Sequence, residues 1–181
     1  IDHLKNFGFV NETTVVAAGI NGKMSEFNAA LGLVQLQHVG RAIARRAAIE
    51  AQYRRLLAGV PGLRLLTPPA GATRNHSYFP VMVQPGFAMS RDALYQRLRD
   101  AGIVARRYFH PLISDFPMYR GLPSADRSRL PVAAAASAQV LCLPIHPGLT
   151  DAEQLRVVDV VLQASQTPAK APPAAMLPLA A

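Results

Sequence analysis

The chain has 181 residues and a formal net charge of +8, with 50% hydrophobic and 17% charged residues. This composition is typical of a globular protein with a packed core, and no apolar run approaches the ~20 residues of a membrane span, so we expect no membrane partner. The single cysteine, Cys142, excludes an internal disulfide and lies in the apolar run VLCLPI. We therefore expect a buried structural thiol and a reducing cytoplasm.

The positive charge is scattered along the chain rather than gathered in one block. Few aromatic residues interleave with the arginines, and no helix-turn-helix or RNP pattern occurs, so no nucleic acid is expected as a partner. Most of the arginines are predicted to lie on solvated helix faces. A basic pocket for an anionic substrate, such as a nucleotide diphosphate, is the alternative. The arginines concerned are Arg41, Arg45, Arg46, Arg54, Arg55, Arg91, Arg97, Arg99, Arg106 and Arg107.

Residues 1–18 are predicted to end a strand-and-loop region. The stretch from Gly19 to Gln37 starts with a polar turn that contains Asn21 and Lys23, and it continues into a helix capped by Ser25. One interpretation is that Asn21 and Gly22 only form the turn, since both tolerate a positive φ. The alternative is an anion site, because free amides, the helix dipole and a lysine coincide there.

The helical pattern that begins at Ser25 extends to about Ala58. At 1.5 Å per residue this helix would be roughly 50 Å long, so Gly40 is a candidate for a kink or break. Its apolar positions are Phe27, Ala30, Leu31 and Val34 before Gly40, and Ile43, Ala47, Ile49, Tyr53, Leu56 and Leu57 after it.

Two short strands follow this helix. The first is predicted at Leu63 to Leu66, after a Pro-Gly turn, and the second at Ser77 to Val83. Pro80 favours an edge or bulged position for the second strand, unless its nitrogen faces outward.

A second helix is predicted from its cap, Ser90, through Ala101, with Gly102 as the stop signal. Its inner face would carry Leu94 and Leu98. The segment from Ile103 to Phe109 is predicted to be a third strand.

The remainder of the chain starts with a proline-punctuated connection that shows little periodicity. A short alanine-rich helix is predicted at Val132 to Gln139, followed by the buried strand VLCLPI. Thr150 and Glu153 form a capping box for the last helix. The apolar positions of that helix are Leu155, Val158, Val161 and Leu162. The resulting order of elements indicates an α+β fold, a small sheet covered by helices.

The segment GINGKMSEFNAALGLVQLQ carries a family resemblance. Its pattern GxNxxM, followed by AALGxxQL, resembles the segment after the active-site lysine in sugar aminotransferases of the DegT/DnrJ/EryC1/StrS family. Those proteins are pyridoxal-phosphate (PLP) enzymes of the aspartate-aminotransferase fold, fold type I. The resemblance covers roughly residues 1–163, and the GxN turn with its helix is its most specific part.

The resemblance implies an α+β fold in which this chain supplies the small C-terminal domain of such an enzyme, together with a long linking helix. Residues 1–24 would end the large PLP-binding domain, and residues 25–59 would form the linking helix. Residues 60–165 would form the small domain, and residues 166–181 a disordered Pro/Ala-rich tail.

The resemblance also implies cofactor-binding residues. In the family, the Asn of the GxN turn reaches into the neighbouring subunit and binds the PLP phosphate, and Asn21 occupies this position. Lys23 stands where the family often has Arg, so it keeps the positive charge but not the bidentate fork.

Two further segments resemble the walls of the substrate site. His76 and Tyr78 lie in NHSYFP, near what would be the mouth of the site; a hydrogen-bonding surface histidine and a core tyrosine are the alternatives. Arg107, Tyr108 and His110 lie in RRYFHPL, which in the family packs beside the sugar nucleotide. Adjacent strand residues point to opposite faces, so only one of the two neighbouring arginines is expected to face the substrate.

The chain carries no residue that we identify as catalytic. PLP chemistry requires a Schiff-base lysine, which in the family precedes the position of residue 1 within a Ser-x-His-x-x-Lys stretch. Lys5, Lys23 and Lys170 do not match that stretch. The five histidines are dispersed and neither HxxxH nor CxxC occurs, so no metal site is expected.

The function implied by the resemblance is amino transfer, with glutamate as the usual donor and a nucleotide-linked keto sugar as the acceptor. The family enzyme is a homodimer whose sites are shared across the interface. The main alternative is a non-catalytic dimerisation or ligand-binding module, and a sensory homologue without catalysis is another. The chain starts with Ile1 rather than Met, which favours the downstream part of a longer protein.

Overall fold

A computed structural model of the protein describes residues 1–166. The described residues fall into two compact units, one from Ile1 to Arg41 and one that begins at Ala42. The predicted disordered tail, apart from its first residue, lies outside the described residues. No helix within residues 1–166 is both long and apolar enough to cross a membrane.

The first unit is a short helix followed by a loop that folds back on itself. Helix α1 is Asp2–Lys5, and the loop is joined by isolated β-bridges, of which one pairs Asn6 with Asn21. Gly8 has φ +81°, and a Cβ there would collide with the carbonyl of Ala17. The loop therefore needs glycine at this close approach of two backbone segments.

Helix α2, Glu26–Leu56, is continuous over 31 residues, or about 46 Å. Ser25 caps it as predicted, because its Oγ accepts a hydrogen bond from the amide of Asn28 at 3.3 Å. The break considered for Gly40 does not occur, since the helix runs through this residue without interruption. Glycine in a helix interior costs only about 1 kcal/mol relative to alanine, so one residue does not end a helix of this length.

The two ends of α2 differ in burial. Phe27, Leu31 and Val34 of the first apolar stripe are exposed. Ile49 and Tyr53, with Leu57 just beyond the helix end, are fully buried in the second unit. The predicted inner face after Gly40 is therefore confirmed.

The second unit contains an antiparallel sheet with strand order β1-β2-β3. The strands are β1 Leu63–Leu65, β2 Phe79–Val83 and β3 Val140–Leu143. The prediction of a third strand from Ile103 to Phe109 is wrong, because this segment forms no regular strand. It contributes a single bridge, Arg106 to Cys142, at the free edge of β3.

Pro80 lies in the central strand, and the register shows why it is tolerated. Cys142, its partner on β3, directs its amide and carbonyl to Arg106 instead. The nitrogen of Pro80 therefore points toward the β1 side, where the pairing of β1 with β2 ends at Val81. No hydrogen bond between the strands is lost. The prediction allowed Pro80 in a regular strand if its nitrogen faces outward, and this is what the structure shows.

Three more helices complete the second unit: α3 Arg91–Asp100, α4 Pro131–Gln139 and α5 Asp151–Gln166. The Oγ of Ser90 accepts from the amide of Ala93 at 3.2 Å, and Gly102 has φ +74° after the end of α3. Thr150 and Glu153 form the reciprocal capping box of α5. These three local predictions are confirmed.

The core lies between the sheet and the helices. Its fully buried members include Leu94 and Leu98 of α3, both as predicted. On α5, Val158 and Val161 are buried as predicted, but Leu155 is 43% exposed.

Cys142 is buried within β3, and burial raises the pKa of its thiol. The connection from β3's edge to α4 contains three 3-10 turns, Ile113–Asp115, Pro123–Ala125 and Arg127–Arg129.

Candidate functional site

The second unit has an open cavity of about 600 Å³ beside the start of β2. We call it the β2 cavity. Its lining comes from the carboxyl-terminal half of α2, the segment after β1 and the segment leading into β2. The lining residues are Ile43, Arg54, Leu66, Thr67, Pro68, Pro69, Thr73, Arg74, Asn75, His76, Ser77, Tyr78, Phe79 and Pro80. Its titratable lining includes two arginines and a histidine but no Asp or Glu.

A buried carboxylate lies behind this wall. Glu50 of α2 is only 2% exposed, and both nitrogens of the Arg74 fork donate to it, at 2.7 and 2.8 Å. Arg54 donates from Nε at 2.7 Å and the Nδ1 of His76 lies 2.8 Å away. Burial alone would raise the pKa of Glu50, but the hydrogen bonds from Arg74, His76 and Arg54 outweigh it and lower the pKa to about 2.

A second cavity, of about 590 Å³, lies next to the first and is lined mainly by apolar side chains. We call it the aromatic cavity. Tyr78 of the β2 cavity and Tyr108 of the aromatic cavity meet edge to face, with ring centroids 5.7 Å apart. The tyrosine of one cavity wall is therefore in contact with the tyrosine of the other. The lining residues of the aromatic cavity are Tyr108, Phe109, His110, Pro111, Leu112, Ile113, Ser114, Phe116, Leu130 and Ala133.

His110 lies in the aromatic cavity, where its Nδ1 is 3.2 Å from the Oγ of Ser137. Ser137 is buried and its carbonyl accepts from the guanidinium of Arg91. This chain of contacts ties the position of His110 to the end of α4. Of the five predicted substrate-site residues, His76, Tyr78, Tyr108 and His110 thus line two adjoining cavities.

Arg107 lies in a different environment. Its NH1 donates to Asp92 at 2.9 Å, and its guanidinium carbon lies 4.4 Å from the ring centroid of Tyr95. Partial burial of Asp92 alone would raise the pKa of its carboxyl. Hydrogen bonds from Arg107 and Arg91 outweigh this effect and lower the pKa. Arg107 lines neither the β2 cavity nor the aromatic cavity.

Several of the arginines donate hydrogen bonds to backbone carbonyls. Arg45 donates to the carbonyl of Leu149, and Arg46 donates to that of Asn75 at 2.9 Å. Arg91 is 4% exposed and donates to two backbone carbonyls, that of Ser137 in α4 and that of Val140 at the start of β3. Arg91 therefore departs from the prediction of solvated faces, because a guanidinium has five donors that can satisfy buried carbonyls.

The segment predicted as the GxN turn lies in the first unit. Asn21 forms a β-bridge with Asn6 there, and neither Asn21 nor Gly22 has a positive φ, so the positive-φ turn considered for them is not observed. The Asn21 side chain is exposed and makes no hydrogen bond within the described residues. Lys23 is also exposed, and its ammonium lies 5.9 Å from the ring centroid of Phe7. Within the described residues the Asn21 amide has no hydrogen-bond partner and the Lys23 ammonium has no hydrogen bond or ion pair, so both are donors that fit a phosphate group near the helix N-terminus.

Glu50 and Arg74 are site residues that the sequence reading missed. The signal for Glu50 was its position: it lies three residues before Tyr53 and seven before Leu57, on the inward face of α2. An acidic residue in a buried stripe requires partners. No group of three or more His, Cys, Asp or Glu residues suited to a metal ion occurs within residues 1–166.

Comparison with known proteins places these features in context. A sequence model of the DegT/DnrJ/EryC1/StrS aminotransferase family matches residues 1–162. The dTDP-4-amino-4,6-dideoxy-D-glucose transaminase of Escherichia coli is 48% identical over 162 residues, which are 90% of this chain and 44% of that protein. The protein of the same name from Shigella dysenteriae is 41% identical over 83% of this chain and 40% of its own length.

The fold has solved counterparts. The S. venezuelae protein DesV, crystallised in complex with a ketimine intermediate, is similar with a TM-score of 0.80 and 29% identity. The similarity covers 91% of this chain and 43% of DesV. The expected α+β fold, as part of an aspartate-aminotransferase-like enzyme with a long helix, is therefore confirmed. The chain spans less than half the length of the relatives that it matches.

Proposed function

The chain belongs to the DegT/DnrJ/EryC1/StrS aminotransferase family, and from this premise we propose that it acts as the C-terminal part of a PLP-dependent nucleotide-sugar aminotransferase. The observation that carries the proposal is 48% identity to a named sugar-nucleotide transaminase across 90% of this chain. Because the match covers 44% of that relative, the proposed activity belongs to a polypeptide that also contains the large domain.

The substrate proposed is a dTDP-linked 4-keto-6-deoxyglucose, aminated at C4 with glutamate as the amino donor. The names of the Escherichia coli and Shigella dysenteriae relatives, both dTDP-4-amino-4,6-dideoxy-D-glucose transaminases, support this choice. PLP, when bound, supplies the electron sink and carries the amino group between the two substrates.

Asn21 and Lys23 are assigned to the cofactor phosphate. The Asn21 amide would donate one hydrogen bond and the Lys23 ammonium would add a positive charge, since neither makes a side-chain hydrogen bond or ion pair within the described residues. In the proposed homodimer this turn serves the site of the neighbouring subunit. Hydrogen bonds to a charged acceptor are stronger than neutral ones, so even one such donor affects cofactor retention.

The two adjoining cavities of the second unit are assigned to the sugar nucleotide and the donor. Tyr78 and Tyr108 offer flat aromatic surface, while His76 and His110 offer ring nitrogens for hydrogen bonding. Arg107 keeps unpaired N–H groups after its bond to Asp92, so it is assigned a charged contact at the edge of the substrate. We place the enzyme in the cytoplasm, where the buried free thiol of Cys142 stays reduced.

The proposal is tested by amino transfer. A polypeptide that contains this chain and the upstream large domain should convert the dTDP-linked keto sugar to the 4-amino sugar only when glutamate and PLP are present, as detected by mass spectrometry of the product. No amination of this substrate, by a folded and PLP-loaded protein, would contradict the substrate assignment. Amination of another nucleotide-linked keto sugar would identify that sugar as the substrate instead.

The 181-residue chain alone is expected to form no internal aldimine, because no lysine matches the family's Schiff-base stretch. PLP mixed with this chain should give only the absorbance of surface-lysine adducts, with no stoichiometric species. A single reducible adduct on one lysine, located by peptide mapping after borohydride treatment, would show that the chain carries its own Schiff-base lysine.

The charge of +8 is assigned to arginines with structural hydrogen bonds and to anionic substrates rather than to nucleic acid. Duplex DNA should therefore bind the chain weakly, without sequence preference, and with an affinity that falls steeply as salt increases. Fluorescence anisotropy with two unrelated duplexes at several salt concentrations measures this. Tight binding that distinguishes the two duplexes near physiological salt would favour a nucleic-acid function.

A further inference from the structure

Among the described residues, the buried carboxylate of Glu50 has no role in the proposed function. It lies on the inward face of α2 beside the fully buried Ile49 and Tyr53. An ionised group at such a position is retained only when partners compensate for its lost hydration. Its partners, and what they leave exposed to the β2 cavity, indicate what this carboxylate does.

Three cationic or cation-forming side chains converge on Glu50, and all three line the β2 cavity. Arg74 grips both carboxylate oxygens in a fork, which restricts its orientation more than a single bond would. Arg54 adds a bond from the side and donates its NH2 to the carbonyl of Leu66. Two guanidinium groups thus face one carboxylate, and the wall keeps a net positive charge.

The carboxylate also determines the state of the His76 ring. Glu50 is ionised at neutral pH and can only accept, so the proton in the 2.8 Å contact must be on Nδ1 of His76. A neutral His76 therefore has its lone pair on Nε2, and a protonated His76 donates from Nε2. That nitrogen has no partner within the described residues, and the ring belongs to the cavity wall.

The backbone at His76 supports a held conformation. Its φ is +52°, in the left-handed region that a non-glycine residue occupies only when its surroundings favour it. The His76 side chain is hydrogen-bonded to Glu50, and the carbonyl of the preceding residue, Asn75, accepts a hydrogen bond from Arg46. The segment that carries Arg74 and His76 is thereby anchored to α2 at two points.

We propose that Glu50 is a positioning residue, which holds the Arg74 guanidinium and the Nε2 of His76 in the wall of the β2 cavity to receive an oxyanion of a substrate. This inference rests on the proposed function, because both proposed substrates carry oxyanions, the diphosphate of the sugar nucleotide and the carboxylates of the donor. Glu50 touches neither substrate. It acts through the geometry of its two partners.

The tautomer of His76 is the first test, and it needs only the 181-residue chain. Nitrogen-15 NMR of the neutral ring should show the proton on Nδ1 in the wild type. In Glu50→Gln the single tautomer should give way to a mixture, because the amide is a weaker acceptor. Glu153→Gln, which affects only the cap of α5, should leave the wild-type tautomer unchanged. A wild-type ring protonated on Nε2 would overturn the proposal.

The second test is kinetic, on the polypeptide that includes the large domain. Glu50→Gln should raise KM about tenfold, as for loss of one charge-assisted contact, for whichever substrate places its oxyanion at this wall. The KM of the other substrate and kcat should change little. Separate KM values for glutamate and for the sugar nucleotide identify the source of the oxyanion.

Arg74→Lys and Glu50→Asp extend the kinetic test. Arg74→Lys keeps the charge and loses the fork. This variant should therefore show a higher KM for the same substrate whose KM rises in Glu50→Gln. Glu50→Asp keeps a carboxylate and should bind that substrate more tightly than Glu50→Gln does. It takes the place of Glu50→Gln in the test if Glu50→Gln does not fold. Lower stability with unchanged KM for both substrates would show a merely structural ion pair and overturn the proposal. If the wild type aminates no keto sugar, the proposed function fails, while the tautomer still decides the role of Glu50.

Discussion

Replacing Asn21 with alanine is expected to weaken PLP retention about ten- to hundredfold. The residue would lose a hydrogen bond to a charged phosphate, worth about 1.5–3 kcal/mol, and 1.4 kcal/mol is a tenfold change in affinity. Equilibrium dialysis of the polypeptide with its large domain, followed by cofactor absorbance, measures the effect. The melting temperature of the holoenzyme should fall with the lost cofactor linkage, while that of the apo form should change little because the Asn21 side chain is exposed.

Asn28→Ala is the matched control for this measurement. Asn28 is an exposed asparagine in the first turn of α2, so its truncation tests whether any amide near the turn has the same effect. Its PLP affinity should remain that of the wild type. Equal losses in Asn21→Ala and Asn28→Ala would contradict a specific phosphate contact from Asn21.

The proposed position of Asn21 across the dimer interface gives a sharper test. Asn21→Ala chains are mixed with chains whose upstream Schiff-base lysine has been replaced, and subunits are allowed to exchange. If Asn21 serves the neighbouring site, each heterodimer gains one complete site and activity rises above that of either homodimer. If Asn21 serves its own subunit, no site is complete. Unchanged activity after confirmed exchange would refute the shared site.

Stability at acidic pH should depend strongly on Glu50. Its pKa falls from an ordinary 4.5 to about 2 in the folded protein, because hydrogen bonds from Arg74, His76 and Arg54 outweigh the opposing effect of burial. A depressed carboxyl pKa stabilises the fold above the unfolded value and ceases to do so as the pH falls through the folded value. The contribution should therefore be complete above pH 4.5 and absent near pH 2.

The expected size of this contribution is about 3 kcal/mol, since one pKa unit corresponds to 1.36 kcal/mol. Urea unfolding of the 181-residue chain between pH 6 and pH 2.5 measures it. The free energy of unfolding of the wild type should exceed that of Glu50→Gln at pH 6, and the difference should shrink as the pH falls below 4.5. A difference that stays constant across this range would show that the charge of Glu50 contributes nothing.

Local signals in the sequence predicted most of the helices and their ends. Ser90, Gly102 and the Thr150–Glu153 box act within one turn of the backbone, so their effect depends little on the rest of the chain. The buried strand at Val140–Leu143 was predictable for a similar reason, because a short, purely apolar run has few alternatives to burial.

Predictions that required partners distant in sequence were less successful. The segment from Ile103 to Phe109 has the composition of a strand but pairs with β3 through Arg106 alone. Leu155 follows the apolar period of α5 and is nevertheless exposed. Strand pairing and burial depend on which surfaces meet, and propensity or periodicity does not specify that.

The candidate site shows the same division. The sequence by itself determined the family, through the GxN turn and its helix, and it indicated His76, Tyr78, Tyr108 and His110 as residues for the substrate walls. Only the tertiary structure decided that Tyr78 and Tyr108 touch, and that Glu50 holds Arg74 and His76 from 24 and 26 residues away. Caps and turns depend on neighbours along the chain, whereas a buried ion cluster exists only after folding has brought its members together and excluded water.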